Sequence, residues 1–126
     1  MNVLVTGGAG FIGSHFVDLL TKKKNIKKII IIDNLEDGTL INLKKALNSK
    51  KVNFVKADIR DFNKIKNLFK NIQKVVHFAA LSDVVPSIVE PKLYMDNNIN
   101  GTINILESMK INGVKKIVYA ASSSCY

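Results

Sequence analysis

The sequence predicts an α/β protein with a doubly wound parallel sheet, five strands with helices on both faces. Three observations carry that expectation. Short apolar runs alternate along the chain with segments whose apolar residues recur at helical spacing. Those runs are continuous Val/Ile stretches rather than in-out alternations, as expected of strands buried on both faces. Four glycines, Gly7, Gly8, Gly10 and Gly13, then fall within seven positions directly behind the first run, where a strand must turn into a helix.

Taken in order, Asn2 to Thr6 reads as the first strand, and Ile12, Phe16, Leu19 and Leu20 recur at helical spacing after the glycines. Lys28 to Asp33 (KIIIID) is a β-branched second strand, and Leu40, Leu43 and Leu47 give Thr39 to Ser49 a helical period. Val52 to Lys56 is the third strand, Asp61 to Lys70 a third helix capped by Asp61, and Lys74 to Ala79 (KVVHFA) the fourth strand. Pro91 suits the first turn of a long helix running to about Ile111, Gly113 suits its C-terminal cap, and Lys116 to Ala121 (KIVYAA) is the fifth strand. A doubly wound nucleotide fold usually continues to a sixth strand. The expectation is therefore one domain over residues 1–126, truncated at its C-terminal side.

Composition narrows the function classes. The 126 residues suffice for one domain with a core, and 47% hydrophobic with 23% charged residues is ordinary for a globular protein. No apolar run approaches the roughly 20 residues of a membrane span, and the N-terminus enters a strand pattern directly, without a signal peptide, so the expected place is the cytoplasm and no membrane partner is expected. The net charge of +9 comes from dispersed lysines with Arg60 as the one arginine, and interleaved aromatics are missing, so a nucleic-acid partner is not expected. Cys125 stands alone, which excludes an internal disulfide and a structural zinc set, and no metal site is expected.

The glycine stretch satisfies Gly8-x-Gly10-x-x-Gly13 and also Gly7-x-x-Gly10-x-x-Gly13. Both spacings let a pyrophosphate reach the backbone N–H groups of a helix start, and Gly13 lets that helix pack close to the strand. Asp33 ends the second strand twenty residues after Gly13, where a carboxylate accepts hydrogen bonds from an adenosine ribose diol and repels a 2′-phosphate. Together they predict a Rossmann-type site for NAD rather than NADP. No Gly-Lys-Ser/Thr follows the glycines, so a P-loop is excluded.

TGGAGFIGS, IDNL, ADIRD, HFAAL, DNNINGTINIL and AASSSCY, in this order and spacing, resemble the extended short-chain dehydrogenase/reductase family. The nearest branch is that of the NAD-dependent nucleotide-sugar epimerases and dehydratases, UDP-hexose 4-epimerases in particular, and the resemblance covers their N-terminal cofactor-binding part. With Gly7, Gly10 and Gly13 as the cofactor-binding glycines, it implies pyrophosphate contacts at Phe11 and Ile12, adenosine-ribose contacts at Asp33 and Asn34, and adenine contacts at Asp58 and Ile59. Phe78, Ala79, Ala80 and Leu81 correspond to the strand-four loop along the cofactor, and Asn97 to a cofactor-contacting asparagine. Ser122 corresponds to the active-site serine, while Ser87, Ser123 and Ser124 are assigned to the nucleotide-sugar substrate.

The implied reaction is a transient oxidation at sugar C4, in which a tyrosine takes the hydroxyl proton, a lysine lowers its pKa and the serine binds the reacting oxygen. No tyrosine here has a lysine four residues on: Tyr94 precedes Asn98 at that spacing, Tyr119 precedes Ser123, and Tyr126 ends the chain and matches a structural tyrosine. The 126-residue chain alone is therefore expected to be inactive. Ser82 stands where several 4-epimerases carry a lysine, and His15 and His77 lack a predictable acid–base partner. The resemblance also implies a homodimer for the full-length protein, with a monomer left equally open here. A non-catalytic NAD-sensing module on the same fold is the alternative function.

Overall fold

The alternate residues of the two central strands, β1 (Asn2–Thr6) and β2 (Lys28–Asp33), divide between two separate cores. In the computed structural model, which describes residues 1–125, Val3, Val5, Ile29 and Ile31 face Val17, Leu43 and Ala46. Leu4, Ile30 and Ile32 face the other way, toward Ile65, Phe69, Ile105 and Met109. The two-residue side-chain period of a strand produces this split, and it requires a cover on each face.

Five parallel strands run in the order β3-β2-β1-β4-β5, with β3 at Val52–Lys56, β4 at Lys74–His77 and β5 at Ile117–Tyr119. The order reverses between β1 and β4, so a crevice opens at the carboxyl ends of these two strands. Helix α1 (Phe11–Thr21) covers one face, and α2 (Phe62–Ile65) with the helix beginning at Pro91 covers the other. This is the doubly wound Rossmann class expected from the sequence.

The first three strands have the expected limits, but other elements differ. Residues 39–49 form two 3-10 turns, Leu40–Leu43 and Ala46–Asn48, in place of an α-helix. Leu43 and Ala46 are the buried residues of those turns and lie three apart, the repeat of a 3-10 helix, while Leu40 and Leu47 stay exposed. The third helix holds α geometry for Phe62–Ile65 and then tightens to a 3-10 turn at Lys66–Phe69. Asp61 caps it as expected, its carboxylate accepting the Lys64 N–H at 3.2 Å. Asp61→Ala is expected to lower the unfolding free energy by about 1 kcal/mol, read as a lower urea midpoint at unchanged slope.

The long helix starts at Pro91 and ends at Ile111, but a π turn at Asp96–Asn100 separates α4 (Pro91–Met95) from α5 (Gly101–Ile111). Between β4 and it lies a short helix, α3 (Val84–Val89). The extra residue of the π turn brings neighbouring asparagines, Asn97 and Asn98, to the sheet side. Gly113 follows with φ +69°, the left-handed conformation expected of a C-terminal cap. Strands four and five are shorter than expected because their last residues leave the sheet to line the crevice.

Candidate functional site at the carboxyl ends of the strands

The loop after β1 is shaped by backbone contact. Gly7 has φ +67°, and a Cβ there would lie 2.6 Å from the Ala79 amide nitrogen. A Cβ on Gly13 would overlap the Gly7 carbonyl oxygen. Helix α1, the glycine turn and the loop after β4 are thus stacked backbone on backbone, a spacing no side chain allows.

Helix α1 opens without a capping side chain at Gly10 and without an acidic residue in its first turn. The Ser14 N–H makes the first helical bond, to the Gly10 carbonyl at 3.0 Å. The amides of Phe11, Ile12 and Gly13 precede it and by helix geometry have no acceptor within the helix. The positive end of the helix dipole therefore faces the crevice uncompensated by any acidic side chain of its first turn. The side chains of Phe11 and Ile12 point to solvent, at 78% and 66% exposure, so these residues offer backbone rather than side chain. His15 lies on the helix surface, with Nδ1 2.8 Å from the Phe11 carbonyl.

Asp33 closes the opposite wall. It is buried, one carboxylate oxygen accepting the Ala9 N–H and the other the Leu35 N–H, each at 2.9 Å. The second bond holds Leu35 at φ +63°, a conformation a leucine rarely takes without such local support. Each oxygen keeps a further lone pair for a ligand hydroxyl. Glu36 and Asp37 line the same cleft and make this end acidic.

Asn34 and Asp58 meet beside it, the Asn34 amide donating to Asp58 at 3.3 Å. Arg60 grips the same carboxylate with two side-chain bonds, at 3.0 and 2.7 Å, and adds its backbone N–H at 2.8 Å. This fork holds the Asp58 carboxyl at about 2, below its usual value. The Arg60 guanidinium is pushed up in turn, and Glu36 lies 3.7 Å from it.

The cleft itself brings together Gly7, Gly10, Asp33, Asn34, Ile59, Phe78, Ala79, Ala80, Leu81 and Asn97 from the sequence-predicted set. Phe11, Ile12, Gly13 and Asp58 do not line it: the first two present exposed side chains, Gly13 is packed on Gly7, and Asp58 is held by Arg60. A second cleft shares Phe78 to Leu81 and extends along Asn98, Thr102 and Tyr119 to Ser122. Ser123 and Ser124 are exposed in a 3-10 turn behind it, with the Ser124 N–H donating to the Ser122 hydroxyl at 3.1 Å. Ser87 lines neither cleft and spends its hydroxyl on the Val84 carbonyl. Tyr126 lies outside the described residues.

Sequence reasoning missed the residues that brace the site. His77, for which the sequence offers no acid–base partner, is buried between two threonines, its Nδ1 2.6 Å from Thr6 Oγ1 and its Nε2 2.9 Å from Thr102 Oγ1. Burial holds its pKa down at about 4, so the ring is neutral near pH 7. Asn98 clamps Leu81 twice, accepting its N–H and donating to its carbonyl, both at 2.8 Å. A histidine within an otherwise apolar strand was the available signal for the first; for Asn98 the crowding of asparagines around Asn97 was the hint.

The family model described as GDP-mannose 4,6 dehydratase matches residues 4–126. The chain belongs to this family. Its similarity to a UDP-glucose 4-epimerase of Oryza sativa subsp. japonica is 39% identity, across 98% of this chain and 32% of that protein. A UDP-glucose-4-epimerase structure from Stenotrophomonas maltophila, with NAD bound, superposes at TM-score 0.87 with 37% identity, over 98% of this chain and 38% of that one. The dTDP-glucose 4,6-dehydratase DesIV of Streptomyces venezuelae, also with NAD, gives TM-score 0.86 at 35% identity, over 93% and 38%. The chain thus spans well under half the length of the proteins it matches.

Proposed function

We propose that residues 1–126 are the NAD-binding portion of a nucleotide-sugar epimerase or dehydratase, one that acts by transient oxidation at sugar C4. The observation that carries this reading is one cleft joining a glycine turn closed to any Cβ, an uncapped helix start and a carboxylate at the end of β2. The residues fit the cofactor. Phe11 and Ile12 offer backbone N–H groups to a pyrophosphate, and Asp33 offers its free lone pairs to the adenosine ribose. Ala57 and Ile59 supply an apolar wall for the adenine. Asp33, Glu36 and Asp37 oppose a 2′-phosphate, and Arg60, already paired with Asp58, is not free to neutralise one, which favours NAD over NADP.

NAD held by these residues would supply the hydride acceptor for the sugar C4 position. Phe78 to Leu81 form a wall common to both clefts, so the same loop meets the cofactor on one side and the substrate on the other. Ser122, in the second cleft, is the residue assigned to hydrogen-bond the reacting oxygen, with Ser87, Ser123 and Ser124 assigned to substrate. The tyrosine and lysine that move the proton in the implied mechanism have no Tyr-x-x-x-Lys counterpart in this sequence, so the isolated chain is expected to bind cofactor without turnover. A cytoplasmic homodimer is the proposed state of the full-length protein. The exposed apolar stripe Met95, Ile99, Ile103 and Leu106 along one helix supports such an assembly, and no helix among the described residues is long and apolar enough to cross a membrane.

Calorimetric titration with NAD and NADP tests the reading. NAD is expected to bind more tightly than NADP, and Asp33→Asn to weaken NAD by about tenfold or more, the loss of one charged hydrogen bond. Equal affinity for the two cofactors, or no binding of either, refutes it. The substitution to Asn is preferred to Ala because Asp33 also braces Ala9 and Leu35, and an amide keeps one acceptor there.

A further inference from the structure

The ring of His77 is hydrogen-bonded to Thr6 and Thr102, and through these and the residue Asn98 it is linked to the loop after β4. Thr102 donates its hydroxyl proton to the Asn98 carbonyl at 2.6 Å, so its oxygen is left to accept from His77 Nε2, 2.9 Å away. The other ring nitrogen is then bare and accepts the Thr6 hydroxyl at 2.6 Å, while the Thr6 oxygen accepts the Ala79 N–H at 3.2 Å. One tautomer alone satisfies every member. At the far end Asn98 holds both backbone groups of Leu81. Ala79 and Leu81 are therefore tied to the same buried ring from opposite sides, one through β1 and the other through the π turn.

We infer that His77, as the Nε2–H tautomer, is a positioning residue that sets the Phe78–Leu81 wall between the two clefts by way of Thr6 and of Thr102 with Asn98. Beyond His77 the sheet ladder holds the wall only at Phe78, whose N–H donates to the Thr6 carbonyl at 3.1 Å. The groups facing the ring are uncharged: Thr6 from β1, Thr102 from α5, and the Tyr119 ring from β5 at a centroid distance of 5.6 Å. With no ion pair to orient it, the imidazole is held by these two hydroxyls, and a ring without polar partners at this depth would be costly.

Two measurements test the inference without any cofactor. Nitrogen-15 NMR of the wild-type imidazole at neutral pH is expected to show a protonated Nε2 and a bare Nδ1; a proton on Nδ1, or an imidazolium, overturns it. Thr102→Val removes the acceptor and Thr102→Ser keeps it. In the Val variant the Leu81 and Ala79 amides are expected to exchange with solvent about tenfold faster relative to the central-strand amides of Ile30 and Ile31, and the Ser variant to restore them. A uniform change across all four amides assigns the threonine to general stability and overturns the inference. The third readout rests on the NAD reading above: the Val variant is expected to weaken NAD about tenfold and the Ser variant to recover it. Failure of wild-type chain to bind NAD refutes that reading alone, since the tautomer and exchange results stand apart from it.

Discussion

Gly13→Ala is expected to destabilise the protein by about 2 kcal/mol and to abolish measurable NAD binding, although alanine is the better helix former. The gain in helix propensity is about 1 kcal/mol. Against it, the new methyl would overlap the Gly7 carbonyl oxygen and lie 2.9 Å from Gly8 Cα, which are backbone atoms and cannot rotate away. Gly7 cannot retreat either, because the space beyond its Cα is closed by the Ala79 amide. Overpacking of this kind costs about 3 kcal/mol when the neighbours are rigid, so the clash outweighs the propensity. Gly101→Ala is the matched control. Its Cβ would meet Ile59 Cδ1 at 2.6 Å and Cγ1 at 2.7 Å, side-chain rather than backbone atoms of a residue that borders the cleft, so Ile59 can shift and the net loss should be smaller than at Gly13, about 1 kcal/mol or less. Urea unfolding of both variants decides the point. Equal losses would mean that the two glycines serve helix packing in general and that the backbone stack at Gly7 has no special weight.

Acid should weaken the fold well above the range in which carboxylates titrate. His77 has its pKa lowered from 6.5 to about 4 by burial, so between those values the unfolded chain takes up a proton that the folded chain refuses. Its contribution to stability is complete above pH 6.5 and is lost as the pH falls toward 4. At about 1.4 kcal/mol per pH unit the full loss is about 3 kcal/mol, and about 2 kcal/mol of it is already gone at pH 5. Asp58 acts in the same sense, since its carboxyl too is lowered in the folded chain: it stabilises the fold above pH 3.8, and that part is lost only as the pH approaches 2. The two windows barely touch, so unfolding free energies measured at pH 7.5, 6 and 5 report on the histidine. His77→Gln, which keeps a hydrogen-bonding side chain without a proton to gain, should flatten this part of the curve. A wild-type curve that is flat from pH 7.5 to 5 would show that the ring accepts a proton where it lies.

Acid sensitivity and glycine packing arise from features of different legibility. Gly7, Gly10, Gly13 and Asp33 could be read from residue type and spacing, because a turn into a helix start and a carboxylate at a strand end each require particular residues at particular places. The strands were legible for a similar reason: KIIIID and NVLVT are too uniformly apolar to be anything but strands covered on both faces, and their observed limits match. The 39–49 segment was misread because Leu40, Leu43 and Leu47 have helical spacing, yet burial is shared by Leu43 and Ala46 across two 3-10 turns. Local period could not reveal that Asn42 is drawn to the Ala9 carbonyl, a bond of 2.9 Å to a residue 33 positions earlier.

Sequence by itself determined the parallel α/β class, the strand–glycine–helix turn and the acidic end of β2, since each follows from constraints on a few neighbouring residues. Only the tertiary structure decided that His77 lies between Thr6 and Thr102, that Arg60 takes the Asp58 carboxylate, and that Asn98 rather than the neighbouring Asn97 clamps Leu81. The partners of His77 and Leu81 lie 17 to 71 positions apart in the chain, and the Asn97–Asn98 choice turns on a π turn that shifts the helix face by one residue. A hydrogen bond is satisfied by any donor and acceptor of suitable geometry, so its partner is selected by where the packed sheet and helix place the two groups, not by residue type.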